Sequence, residues 1–290
     1  IVLQNDLSNL DQIVGQQIDG ILGGDFLKGL IIEINFKKFK LSFHHPDFYK
    51  IEPEYTQLDL TIKNFKPYLK TTTTVQNKTD TLLYLLDTGA SIGLLIHSNK
   101  NDFTLPKNAI AGALGKGLGG ELTGYIGYIN RLKIGPYAIK NIITNFQEID
   151  TAYIDNKNII RDGIIGNLLL SRFIIVIDYV KEKCYLKPLK TLNDKFDYDK
   201  SGLIIYASGS NFKDFYVKSV IPKSPASIAG IESGDKIIKI GFFPATWCTL
   251  QEILSKLQGK DGKLIKIKIL RNEVEIKFQF RLKNLLEINQ

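Results

Sequence analysis

The sequence predicts a mainly β protein: a duplicated β unit followed by a smaller unit that combines strands with two helices. Three observations predict it. Apolar, β-branched runs of strand length recur between glycine-marked turns, as in Phe173–Ile177. One stretch of sequence occurs twice. A polar segment, Lys190–Lys200, then separates the second copy from about ninety further residues, as a linker would.

The repeat is the firmest of the three. Asp19–Phe43 reads DGILGGDFLKGLIIEINFKKFKLSF, and Asp162–Leu186 reads DGIIGNLLLSRFIIVIDYVKEKCYL. The offset is 143 residues with no gap, and the identical pairs include Asp19/Asp162, Gly20/Gly163, Gly23/Gly166, Ile31/Ile174, Ile34/Ile177 and Lys40/Lys183. A period this long marks a duplicated domain, not a solenoid. Over a hundred residues precede the second copy and 18 precede the first. The expectation is therefore a chain that begins near the end of a first lobe (1–47), contains a second lobe (48–190), and ends in a third unit (191–290).

Leu58–Ile62 alternates apolar and polar residues, the strand period. Leu82–Leu86 is a buried apolar run that ends at Asp87. Glycines crowd Gly112–Gly124, which reads as a mobile loop or the tip of a hairpin, and Tyr125–Ile134 reads as the strand after it. A short helix is expected through Leu168–Ser171. Phe173–Ile177 and Cys184–Leu186 are strands joined by a Lys-Glu-Lys turn. In the last unit Ser224 and Pro225 open a short helix that Gly230 and Gly234 end. Thr249 caps an amphipathic helix whose one face carries Leu250, Ile253, Leu254 and Leu257. Ile265–Leu270 and Val274–Phe280 read as closing strands.

Composition removes several functions. The net charge is +8, from 38 basic and 30 acidic residues, but only five of the basic residues are Arg and the lysines are scattered. A nucleic-acid reader clusters its charge and uses Arg for bidentate phosphate contacts, so no nucleic-acid partner is expected. No apolar run reaches the roughly 18 residues of a membrane span. Cys184 and Cys248 cannot make a disulfide framework, and neither they nor His44-His45-Pro46 has metal-site spacing, so no metal is expected. Gly89-Ala90-Ser91-Ile92-Gly93 fits the G-x-S-x-G nucleophile elbow, but the only later histidine is His97, and the required order of acid and then histidine fails. The chain lacks Met and opens at Ile1, which reads as a fragment or a processed form.

The sequence Leu82-Leu83-Tyr84-Leu85-Leu86-Asp87-Thr88-Gly89-Ala90-Ser91 carries candidate chemistry. A carboxylate at the end of a buried strand is costly without support. Two such loops facing each other would put two carboxylates on one water, and like charges so close share a proton. One carboxylate then deprotonates the water while the other protonates the substrate carbonyl.

This segment, the glycine-rich hairpin Gly115–Tyr128 and the run Ile164-Ile165-Gly166 before Leu168-Leu169 together resemble the retropepsin-like aspartic proteases. The resemblance implies retropepsin-like acid-protease β-barrel lobes. It implies an aspartic-type endopeptidase with Asp87, Thr88 and Gly89 as catalytic residues, a peptide or protein substrate, a water nucleophile and no cofactor. Only one Asp-Thr-Gly is present. Its mate is expected from a second lobe, in cis or in a homodimer, or has been lost.

The third unit resembles the PDZ domains of bacterial proteases, on Ser224-Pro225-Ala226-Ser227-Ile228-Ala229-Gly230-Ile231 followed by Gly234-Asp235-Lys236-Ile237. Such a domain takes a peptide as an added strand, with loop amides at Gly202, Leu203 and Ile204 holding its C-terminal carboxylate. A self-filled groove is the competing expectation. The alternative for the whole chain is a non-catalytic peptide-binding protein with a degenerate lobe pair and a working PDZ groove. The domain pairing favours a secreted, bacterial-envelope or periplasmic location over the cytoplasm.

Overall fold

Nineteen strands and six short α-helices organise the residues that the computed structural model describes, which are 8–101, 103–107, 109–117, 120–149 and 161–287. Two units result. One is built from residues 22–196, the other from residues 197–287 together with 8–21.

The helices are α1 (Ser8–Val14), α2 (Gly24–Leu27), α3 (Ser98–Asn101), α4 (Asn167–Leu170), α5 (Pro225–Ala229) and α6 (Leu250–Leu257). The first unit holds β1 (Ile31–Asn35), β2 (Lys40–His44), β3 (Thr56–Asp59), β4 (Thr61–Lys63), β5 (Lys66–Val75), β6 (Lys78–Asp87), β7 (Leu94–His97), β8 (Ile110–Gly117), β9 (Gly120–Ile134), β10 (Tyr137–Gln147), β11 (Gly163–Gly166), β12 (Phe173–Asp178) and β13 (Lys183–Pro188). The second holds β14 (Leu203–Ser208), β15 (Asp214–Val220), β16 (Lys236–Ile240), β17 (Phe243–Pro244), β18 (Leu264–Arg271) and β19 (Val274–Arg281).

Six strands of the first unit close a barrel. Their order is β5-β6-β11-β7-β10-β9, and β9 returns to pair with β5, Thr73 opposite Leu132. Closure leaves these strands no open edge. Tyr84, Leu94, Ile96, Leu132, Ile142, Phe146 and Ile165 are all fully buried. The buried polar pair Thr73 and Tyr84 is satisfied hydroxyl to hydroxyl at 2.8 Å. The long hairpin of β8 and β9 extends from this barrel; its tip, residues 118–119, lies outside the described residues.

From α2 and α4 onward the duplicated sequence folds twice into one local structure, whereas ahead of them Gly163–Gly166 is a strand and residues 20–23 are not. The α2 and α4 helices occupy equivalent positions, each entered through an extended glycine, Gly23 or Gly166. Phe39 and Glu182 both take the left-handed conformation, at φ 49° and 52°. The Asn35 carboxamide accepts from the Lys38 N–H, and in the second copy the Asp178 carboxylate accepts from the Lys181 N–H. β1 pairs antiparallel with β12 so that Glu33 faces Val176, the same position of the two copies. A local two-fold axis therefore runs through the five-stranded sheet β2-β1-β12-β13-β3. The segment after β13 does not swing free at its start. Buried Arg172 donates to the carbonyls of Leu192 and Asp194 and stacks on the Phe196 ring at 3.5 Å.

The second unit is a sheet in the order β14-β15-β16-β18-β19, with β17 on β16. The sequence signals place its helices. Ser224 caps α5, with Pro225 at the first helical position, and Gly230 at φ 91° ends it. Thr249 and Glu252 make a reciprocal capping box on α6. Leu250, Ile253 and Leu257 are buried in one core with Leu203, Phe215 and Ile269. No helix among the described residues is long and apolar enough to cross a membrane.

Candidate functional site

Asp87 ends β6 opposite Gly166 of β11, a parallel pairing that sets the loop after β6 against the entrance of α4. Asn167 N–H donates to the Ala90 carbonyl at 2.7 Å and Leu168 N–H to that of Ile92 at 3.1 Å. Gly166 is required there, since a Cβ would lie 2.3 Å from the Ile92 carbonyl oxygen. The half-buried Asp87 accepts from the N–H of Gly89, two residues on, at 2.9 Å, which closes a local turn. Thr88 and Gly89 are exposed. No second carboxylate is bonded to Asp87, and no cluster of three metal-ligating side chains occurs, among the described residues.

A second polar group lies at the end of β7. His97 is 2% exposed, and neither ring nitrogen has a hydrogen-bond partner among the described residues. Asp162 accepts from the Leu83 N–H and pairs with Lys100 at 2.9 Å. Burial first, then the cations of Arg161 and Lys100, holds the His97 imidazole down at about 4, with Asp162 opposing. The unfolded chain takes up this proton near 6.5, so stability falls as pH drops from there to about 4, by at most about 1.4 kcal/mol per unit. His97→Phe is expected to flatten that part of the pH–stability curve in urea denaturation. An unchanged slope would show that the imidazole does not titrate in this way.

The third candidate is the start of β14. Asp199 is half-buried behind the loop, and its Oδ1 accepts from the N–H groups of Ser201 and Gly202 and from the Ser201 hydroxyl. Burial pushes its carboxyl up to about 6 against these hydrogen bonds. Leu203 N–H donates to the Ser201 hydroxyl at 3.1 Å. Gly202 sits at φ 82°, with room for no Cβ against Ser224. The structure thus gathers Gly202, Leu203 and Ile204 at the head of the edge strand, with two of their amides committed inside the loop. Asp199 carried no motif that would have marked it. Its spacing ahead of Ser201-Gly202 is the only sequence signal.

Residues 216–271 match the PDZ domain family, and the second unit is a PDZ domain. No curated protein matches the chain. Among solved structures, the chain is similar to the photosystem II D1 C-terminal processing protease, at 24% identity over 30% of this chain and 24% of that one, with a TM-score of 0.28. It spans about a quarter of that protein. It is similar to the serine endoprotease from Yersinia pestis at 14% identity, covering 88% and 93% of the two chains with a TM-score of 0.29. It is also similar to the HtrA-type protease AlgW with decapeptide, at 12% identity over 79% of each chain and a TM-score of 0.31. At these scores the likeness places no residue of this chain in a role.

The aspartic-protease expectation is corrected on these findings. One of these similar structures is described as a serine endoprotease and another as an HtrA-type protease, and neither is described as an aspartic protease. In the chain itself Asp87, Thr88 and Gly89 form a turn whose carboxylate caps its own backbone, and no proton-sharing mate is bonded to it among the described residues. The retropepsin-like family, the aspartic dyad and the aspartic peptidase assignment are set aside together. What stands is a mainly β chain with a six-stranded barrel and a C-terminal PDZ domain. A hydrogen-bonded Ser–His pair is also missing among the described residues: both nitrogens of His97 lack partners, and Ser91 is exposed on the loop after Asp87.

Proposed function

We propose that the chain is a peptide-binding protein, which takes extended peptides at the edge of β14 in its PDZ domain. The observation that carries this reading is the placement of β14. It is the end strand of its sheet, it begins at the Gly202-Leu203-Ile204 loop, and it lies beside α6. An edge strand presents backbone donors and acceptors that an added antiparallel strand satisfies. Its side chains alternate buried and half-buried, so the pleat gives an incoming peptide a regular surface to follow. At the head of the strand a peptide's C-terminal carboxylate would take the Leu203 N–H in place of the Ser201 hydroxyl that accepts from it in the empty loop.

Fluorescence anisotropy on the full chain tests this. The probes are two pools of fluorescein-labelled hexapeptides with apolar last residues, one ending in a free carboxylate and one in an amide. The acid pool is expected to bind at least about tenfold more tightly, the loss of one charge-assisted set of hydrogen bonds. Equal binding of both pools would overturn carboxylate capture.

A further inference from the structure

We infer that α1 is a built-in occupant of the PDZ groove, and that a peptide must displace it to bind. The inference rests on the peptide-binding reading above and adds its regulation.

The helix comes from the far N-terminal end of the chain, yet it packs on β14, the edge strand. The residue just after the helix reaches α6: a Cβ on Gly15 would lie 2.7 Å from the Leu250 Cβ, and Leu250 opens α6. One short segment therefore touches both elements that border the groove. Its sequence suits the task. Leu10, Ile13 and Val14 fall at the i, i+3, i+4 spacing of a single apolar stripe, and Asp11 is the only charge in the helix.

The segment is also shaped to stop there. Gly15 takes φ 76°, its N–H and that of Gln16 both donate to the Asp11 carbonyl, and the Asp11 carboxylate accepts from the Ile18 N–H at 2.9 Å. This close turn sets Gly15 flat against Leu250, where any side chain would be strained and would collide.

The contact is weak by construction. A helix of seven residues is far below the roughly 12–15 that hold together alone in water. Its stripe is only partly covered, with Ile13 38% and Val14 46% exposed. Such a segment is held by its surface and not by itself, so it gives way to a better ligand. If it covers the groove about nine-tenths of the time, the apparent affinity for a peptide is about tenfold below that of the open groove.

The test uses the full chain, the same acid-ended hexapeptide pool and two variants. Gly15→Val pushes α1 off Leu250, and Leu10→Asp breaks the apolar stripe; neither residue belongs to the PDZ core. Both are expected to tighten binding about tenfold, and hydrogen exchange of residues 11–16 is expected to quicken in both. Equal affinity in wild type and variants, with binding intact, would overturn the occupancy while leaving the peptide reading in place. No binding in any of the three would overturn both.

Discussion

Replacing Arg271 with alanine is expected to destabilise the PDZ domain by about 3–5 kcal/mol, the cost of leaving a buried charge without its partner. Asp235 is 1% exposed. Its two carboxylate oxygens accept from the Arg271 Nε and Nη2, each at 2.7 Å, and Oδ2 also accepts from the Glu232 N–H at 2.9 Å. The same guanidinium donates to the Gly230 carbonyl, which ends α5, and pairs with Glu232. One planar fork thus ties the end of α5 and the approach to β16 to the last residue of β18. Lysine retains the charge but not the fork, so Arg271→Lys is expected to fall between wild type and alanine. Urea denaturation followed by Trp247, the only tryptophan and a residue of this domain, reads the effect. A loss below about 1 kcal/mol would place this bond among ordinary surface pairs.

The second large effect separates two residues that sequence alone makes equal. Gly20 and Gly163 are the same position of the repeat. A Cβ at Gly163 would lie 2.0 Å from the Leu95 carbonyl oxygen and 2.7 Å from the Tyr84 ring, inside the closed barrel between β6 and β7. Neither the strand backbone nor the buried tyrosine can move away cheaply. A Cβ at Gly20 would meet nothing within 4 Å. Gly163→Ala is expected to cost about 3 kcal/mol or more, at the upper end for an overpacked core. Gly20→Ala is expected to change stability by less than about 0.5 kcal/mol. Differential scanning calorimetry of the two variants gives the contrast, and similar losses in both would mean that the barrel packing around β11 is wrong.

The same pair shows what the sequence holds and what it does not. A repeat in register with no gap predicts two copies of one local fold, and Phe39 and Glu182 share even their left-handed backbone, although one is aromatic and the other acidic. Local signals such as Thr249 with Glu252, or Ser224 with Pro225, name their helices because the bonds they make are within four residues. Strand partners are another matter. Nothing in Gly163–Gly166 says that it lies parallel to β6 and antiparallel to β7, because those bonds span some 70–80 residues of chain.

The aspartic-protease assignment went beyond its residues for a related reason. Asp-Thr-Gly encodes a turn in which the carboxylate accepts from the glycine amide, and the structure contains that turn. The triplet carries no information about whether a second carboxylate faces it, so resemblance supplied what the residues did not. The groove occupant was hidden differently. The stripe of Leu10, Ile13 and Val14 is visible in the sequence, but its contact with β14 joins segments nearly 200 residues apart. Asp199 likewise acts through a loop geometry that no spacing rule announces.

Amide chemical-shift mapping of the full chain with an acid-ended hexapeptide asks whether peptides bind at β14. The perturbed amides are expected on Gly202–Ser208 and along Leu250–Leu257, with α1 shifting as it is displaced. Perturbations confined to the outer face of β16, β18 and β19, or to the barrel strands between Lys66 and Gly166, would contradict it.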